Sequence, residues 1–482
     1  VGGNLIATTD DNNGVIDLGT LAVTGSVALN THGNGAATVV NATALDLAAS
    51  TVGGALVATA SAGNITDSGV LEITGAATFT VADGQSIYLN AVDATTNDAN
   101  KFDNQAAGQA NADDGALSFV ASSGKLANVT IHDYDELFDF PALDITGNLE
   151  IEVASRSEAA QGDASSNVNI AIRDTGDFDI DGSTTIKVTS GSAKHVYINQ
   201  DDNDFTGAVG VTNGNQIHLK TKGALVLGTN QGSWATFGAG GDVTQSAGST
   251  LTLSNFLSVD ARSSDGNTYY DATLTNTGND VDKIKNISAK NFTLLTSRDA
   301  TFSVGGNSTS AGTQVTENFT VTAREEVDDW HHELIVGGTT TIIAQNEAGT
   351  TNYDIELNDV DHDFATIKVT GANVTLVDAN AIVLGASTVT GTYAVTATAG
   401  GSITNSGPLA ITGAATFTAA GSQSITLNES NTFSGTVAFS SGGTLANVEV
   451  KDTNAFILAE TANLTLSGDL TVTTVAEGLS DT

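Results

Sequence analysis

The sequence predicts an all-β fold, a β-solenoid of about 20 residues per coil, and three observations carry that expectation. A block recurs 338 residues downstream almost letter for letter: residues 62–79 read AGNITDSGVLEITGAATF and residues 400–417 read GGSITNSGPLAITGAATF. Apolar and polar residues alternate at period two in runs of four to seven, which is the signature of half-buried strands. Between the runs lie clusters of Gly, Asn, Asp and Ser, residues that accept positive φ or bond their own backbone in turns. A sub-period near 20 residues fits one coil of three short strands, whereas a propeller blade needs about 40.

Taken in chain order, the elements repeat a small vocabulary. LAVTGSVAL (21–29) opens the series, and LDLA (45–48) introduces a second marker, an apolar-x-Leu/Val pair followed by a small residue. In VLEITGAATFTVA (70–82), alternation puts Leu71 and Ile73 on one buried face. AVDATTNDANKFDNQAAGQANADD (91–114) reads as a loop insertion, because the later copy has the short ESNTFSG in its place. LFDF (137–140) is a degenerate second marker, and LVLG (225–228), FSVG (302–305), IVLG (382–385) and FILA (456–459) continue it. LTLSNFLSV (251–259), LIVGGTTTI (334–342) and LTLSGDLTV (464–472) are weaker copies of the first marker, and a polar stretch near 320–333 reads as a second insertion. Phe205, Phe364 and Phe433, in DFTG, DFAT and TFSG, form a third marker. The spacings give a unit of about 75–90 residues repeated about five or six times, one continuous solenoid over 1–482 with roughly 24 coils. Such arrays tolerate unequal insertions as loops on the coil stack.

Composition narrows the function classes. The balance of 16 basic against 55 acidic residues gives a formal net charge of −39, which repels nucleic acid and anionic lipid. There is no cysteine, so disulfide scaffolds, thiolate metal sites and thiol catalysis fall away. No run approaches the length of a membrane-spanning helix. The chain opens on VGGNL and closes on GLSDT inside repeat text, without Met, so a piece of a longer protein is expected.

Two aspartate runs are the candidate metal ligands. Asp177, Asp179 and Asp181, in DFDIDG, imitate the opening of a calcium loop, with oxygens at positions 1, 3 and 5 ahead of a Gly. Position 12 is Val188 where that loop needs a bidentate Glu, so the competing expectation is a strand with Phe178 and Ile180 inside and solvated carboxylates outside. Asp359, Asp361 and Asp363 also alternate, but Phe364 follows where Gly is needed. EEVDDWHHE (325–333) collects acids, Trp330, His331 and His332, yet adjacent histidines on a strand face opposite ways and chelate poorly. Carboxylate pairs are glycosidase chemistry, but among 55 acidic residues they arise by chance, and five dispersed arginines offer no carbanion stabiliser. Regular threonine faces of the ice-binding kind are not expected either, since Thr is spread over many positions.

The succession DFTGAVGVT (204–212), ANVTLVDANAIVLGASTVTG (372–391) and AVTATAGGSITNSGPLAITGAATFTA (394–419) resembles the repeats of large bacterial β-strand-repeat exoproteins related to filamentous haemagglutinin. The likeness is strongest at 42–90 and 358–472. It implies a right-handed parallel β-helix, location outside the cell or on the bacterial cell surface, and a role as adhesin stalk or extracellular filament. The expectation is therefore a non-enzymatic structural rod that needs no cofactor, with calcium the one ion suggested. Its expected partners are other copies, end to end or side by side, and a host or cell-surface glycan or protein. The alternative is a β-helical carbohydrate-binding or polysaccharide-cleaving protein. Specificity is expected where repetition fails, at 91–114, 155–200 and 255–333.

Overall fold

The fold is a parallel β-solenoid, seen in a computed structural model that describes residues 1–481 apart from 11, 97, 103–116, 134–137, 154–169, 190–193, 304–312, 331–332, 460–463 and 476–477. No helix occurs among the described residues, and none is therefore long and apolar enough to cross a membrane. The chain divides into two compact units, Val1–Gly241 and Asp242–Thr482. Within each, mostly short strands alternate with tight corners, interrupted by long ones such as Val209–Thr221, Leu225–Ala239 and Leu334–Ala344, and strands bond in parallel to their counterparts one turn on. Two isolated antiparallel bridges, Arg262 with Tyr269 and Gln345 with Asn352, close loops of the second unit.

Register gives the length of a turn. In the first unit Leu45 pairs with Ile65 and Ile65 with Ile87; in the second Val374 pairs with Tyr393, Tyr393 with Ala415 and Ala415 with Val437. The units hold about 19 turns at about 22-residue spacing, fewer than the 24 expected from the sequence. The longer spacing and two long steps account for the difference: Ala77 pairs with Leu117 and Leu149 with Thr184, and within the first step Lys101–Phe102 pairs with Glu72–Ile73 on the ladder. Near 320–333, where a second insertion is expected, the chain instead continues the ladder. Phe319–Ala323 pairs with Phe292–Thr296, and Val327–Trp330 pairs with Ala300–Ser303. Arg324, Glu325 and Glu326 sit at the corner between these two strands, while Asp328 is outward and Asp329 inward on the second.

The duplicated block adopts one conformation twice. Ile65–Asp67, Leu71–Ile73 and Ala77–Val81 correspond to Ile403–Asn405, Leu409–Ile411 and Ala415–Ala419. Ile65, Leu71, Ile73, Ala77 and Phe79 are buried, as are Ile403, Leu409, Ile411, Ala415 and Phe417. The shared glycine has a steric reason: a Cβ on Gly75 would meet the Gly54 backbone at 2.6 Å, and one on Gly413 would meet the Gly391 carbonyl oxygen at 2.4 Å. At this corner successive turns touch backbone to backbone.

Inside, like stacks on like. In the first unit Phe79, Phe119, Phe140, Phe178 and Phe205 form a column with ring centroids 5.5–6.2 Å apart. In the second, Phe292 stacks on Phe319 at 5.4 Å and Phe417 on Phe439 at 6.1 Å. Each such ring contributes its hydrophobic burial and about 0.5–1.5 kcal/mol more from the aromatic pairing. Phe205, Phe364 and Phe433, the third sequence marker, are all buried.

Candidate functional site

The first aspartate run lies on a strand. Phe178–Ile180 turns Phe178 and Ile180 inward, Asp177 and Asp181 are exposed, and Asp179 is half-buried. The parallel register sets Asp179 between Asp144 and Asp204 on adjacent turns. Stacked carboxylates repel at this spacing, and lysines sit among them. Lys125 Nζ lies 2.7 Å from Asp144 and 3.2 Å from Asp179, and Lys222 Nζ lies 3.1 Å from Asp204. Those bonds raise the Lys125 ammonium well above the usual lysine range. Asp177 and Asp181 join the ladder through their backbones, Leu143 N–H donating to the Asp177 carbonyl and Asp181 N–H to that of Ile145.

The second run forms part of a corner. Asp359 N–H donates to Asp329 Oδ2 (2.8 Å), Asp361 N–H donates to Asp359 Oδ1 (2.9 Å), and Asp361 and Asp363 are exposed. Between them, His362 is fully buried: its Nδ1 accepts the Leu334 N–H at 3.1 Å, and its Nε2 lies 2.5 Å from Asp329 Oδ2. Because Nδ1 accepts, the proton sits on Nε2 and is donated to the carboxylate. The sequence reading passed over this histidine, though it occupies the inward parity shared with Phe364.

The same construction recurs. Asn100, Asn203, Asn279 and Asn431 accept, through Oδ1, the N–H of Leu71, Phe178, Leu251 and Leu409, each the first residue of a strand one turn earlier. Each of these asparagines, like His362, stands two residues before an inward Phe or Val: Phe102, Phe205, Val281, Phe364 and Phe433. The amide's other edge reaches back across the corner. Asn100 Nδ2 donates to Asp67 (2.7 Å), Asn203 Nδ2 to Asp174 (2.7 Å) and Asn279 Nδ2 to Gln245 (2.9 Å), while Asn431 Oδ1 accepts from Asn405 (2.8 Å). The corner carboxylates also bind the loop of the next turn, Asp67 taking the N–H groups of Asn90 and Ala91, and Asp174 those of Asn199 and Gln200. Most strands begin with an N–H bonded to a backbone carbonyl one turn on, as Leu45 does to Asn64 and Leu149 to Ser183. At these five corners a side chain takes that place, and a buried orphan N–H would be costly. The side chain two residues before the next inward Phe or Val supplies that acceptor. His362 with Asp329 is the ionisable version of this latch.

In EEVDDWHHE, Trp330 is 65% exposed and Asp329 belongs to the latch, while His331 and His332 lie outside the described residues. Among the described residues no group of three or more His, Asp or Glu side chains converges as a metal site would require. The polar interior thus bonds backbone at corners, and the ionisable exterior is laid out in ladders.

These features define a β-solenoid repeat protein. The chain belongs to the family described as repeats of unknown function (DUF5649), which matches it four times, over residues 33–107, 126–212, 296–370 and 371–440. No curated protein and no solved structure is significantly similar to the chain.

Proposed function

We propose that the chain is a non-enzymatic structural segment of a secreted or cell-surface bacterial protein, acting as an adhesin stalk or a self-assembling extracellular filament. One observation carries this reading. The block that repeats between 62–79 and 400–417 places the same residues, Ile65 to Phe79 and Ile403 to Phe417, in the interior. What the sequence copies is therefore a packing face, the property a stack of coils needs and a catalytic site does not. Interior polar side chains such as Asn203, His362 and Asn431 are committed to backbone latches, so they are not available to a substrate. The resemblance to exoprotein repeats related to filamentous haemagglutinin supports the location and the role, and the net charge of −39 suits a solvated surface. Negative-stain electron microscopy of the purified chain tests it: elongated particles that join end to end or side by side are expected. Compact monomers that release reducing or unsaturated ends from a polysaccharide would refute it.

A further inference from the structure

One outer face of the first unit departs from the rest. On several strands the outward positions are small, as Ala394 and Thr396 on Tyr393–Ala397 and Thr416 and Thr418 on Ala415–Ala419, and on others they are charged, as Glu150 and Glu152 on Leu149–Val153. On His195–Ile198, Val209–Thr221 and Leu225–Ala239 the inward positions remain apolar, with Val196, Ile198, Ile217, Leu219, Ala235 and Phe237 buried. Five of the outward positions carry planar side chains. Register stacks them in two columns, His195–Gln216–Trp234 and Tyr197–His218–Thr236. The Tyr197 and His218 rings lie 4.7 Å apart at 43°, His195 lies 5.9 Å from Tyr197, and the Tyr197 hydroxyl donates to Gln216 Oε1 at 3.2 Å. All but the exposed Thr236 are half-buried, so each ring is supported by the sheet and still presents surface. One of the chain's two tryptophans is here.

We propose that this face binds a neutral saccharide chain, with pyranose rings resting on Tyr197, His218 and Trp234 and hydroxyls bonded by His195, Gln216 and Thr236. Aromatic faces attract the polarised C–H groups of a sugar ring, while imidazole and amide edges offer donor and acceptor together, which is what vicinal hydroxyls require. Burial holds His195 and His218 below the usual histidine range, so the rings keep both a donor and an acceptor nitrogen at neutral pH. The charge selects the class. Across 194–238 three lysines (Lys194, Lys220, Lys222) offset three aspartates (Asp201, Asp202, Asp204), while the chain as a whole carries −39. This segment carries no net charge within an acidic chain, Lys220 and Lys222 pairing with Asp201 and Asp204. That disfavours acidic polymers less through repulsion than through the want of a free cation, while admitting uncharged ones. Adjacent strands lie about 4.8 Å apart, close to the length of one sugar in an extended glycan, so neighbouring strands can meet neighbouring sugars. The site is independent of the structural role proposed above.

The test titrates the full chain with cello-, chito- and malto-hexaose, and with an oligogalacturonate as the acidic control. Calorimetry and tryptophan fluorescence are the readouts. Saturable binding of at least one neutral hexaose is expected. Trp234→Ala and His218→Ala should each weaken it about tenfold or more, and Trp330→Phe should leave it unchanged. Should Trp234→Ala lower the melting temperature below that of the assay, Thr236→Lys provides the second arm: it changes an exposed position and should cause a comparable loss. No neutral hexaose bound at millimolar concentration, tighter binding of the oligogalacturonate, or binding that survives Trp234→Ala or Thr236→Lys in folded protein would overturn the proposal.

Discussion

Replacing Asn431 by alanine isolates the corner latch, because this residue serves four partners and is completely buried. Its Oδ1 accepts the Leu409 N–H at 2.9 Å and the Asn405 side-chain amide at 2.8 Å. Its Nδ2 donates to the carbonyls of Leu427 at 2.9 Å and Lys451 at 3.2 Å. Alanine leaves two donors unpaired at roughly 1–3 kcal/mol each, so the local cost is about 2–6 kcal/mol. In a repeat array that cost stays with the affected turn and its neighbours. Hydrogen exchange resolved by mass spectrometry or NMR is therefore the appropriate assay. The Leu409 amide and the strand Leu409–Ile411 should exchange faster by about thirtyfold to 10⁴-fold, at 1.4 kcal/mol per factor of ten. Strands of the first unit, such as Leu149–Val153, should be unchanged. Thr416→Ala, at an exposed outward position, is the control and should alter stability by less than about 0.5 kcal/mol. If Asn431→Ala leaves exchange at Leu409 as in the wild type, the N–H has another acceptor and the latch argument fails.

Three further predictions follow from named groups. His362→Leu should cost about 3–5 kcal/mol in urea unfolding, because it removes the imidazole partner of the Asp329 carboxylate, which is 1% exposed and keeps the Asp359 N–H, and orphans the Leu334 N–H. His362→Asn, the residue found at the equivalent corners, should cost clearly less, and equal losses would refute the equivalence. Lys125→Gln should lower the melting temperature at low salt by leaving Asp144, Asp179 and Asp204 stacked without the bridging ammonium, and millimolar calcium should restore it. A wild type whose melting temperature is equal in calcium and in EGTA would retire calcium at Asp177, Asp179 and Asp181. His195 and His218 have folded pKa values depressed mainly by burial, so the unfolded chain takes up their protons first as pH falls below about 6.5. Their contribution is present above that pH and is lost as pH falls toward the folded values. The stability difference between wild type and the His195→Gln/His218→Gln variant should therefore shrink between pH 7.5 and 5, and a difference independent of pH would count against the buried neutral state.

The fold was legible because it depends on parity. Period-two alternation and the long-range copy suffice to place Leu71, Ile73, Leu409 and Ile411 inside, and all four are buried. Turn count was less legible: spacing between markers does not distinguish a long turn from a turn plus insertion, and the charged letters at 325–330 look like a loop although Val327–Trp330 is a strand with Asp329 buried in it. The candidate site was the least legible part. An acid run such as DFDIDG reads the same whether metal, water or a lysine from 54 residues away faces it, and only the register brings Lys125 to Asp179. The latch did leave a trace. Phe205, Phe364 and Phe433 stood out as markers, and Asn203, His362 and Asn431 each precede them by two residues. Physical content was missing from that pattern until the N–H partners were known, because they lie 22–28 residues upstream.

Parallel stacking also explains why repetition is selective. A ladder that copies a turn sets each side chain against its own kind about 4.8 Å away, which favours rings and branched aliphatics and penalises carboxylates. The inward column Ile131–Ile151–Ile186 repeats without change. The outward columns beside it do not: Thr130, Glu150 and Thr185 separate an acid with threonines, and Glu152 stands between His132 and Lys187, with Lys187 3.0 Å away. Lys101 likewise meets Glu72 at 3.3 Å, and Arg173 meets Asp139 at 2.5 Å. With 55 acids and 16 bases, the few cations are most effective where register would otherwise bring acids together. The interior is consequently free to be copied and the exterior is obliged to vary. A chain of this kind can acquire a binding face such as that of Tyr197, His218 and Trp234 without disturbing the packing that builds the coil.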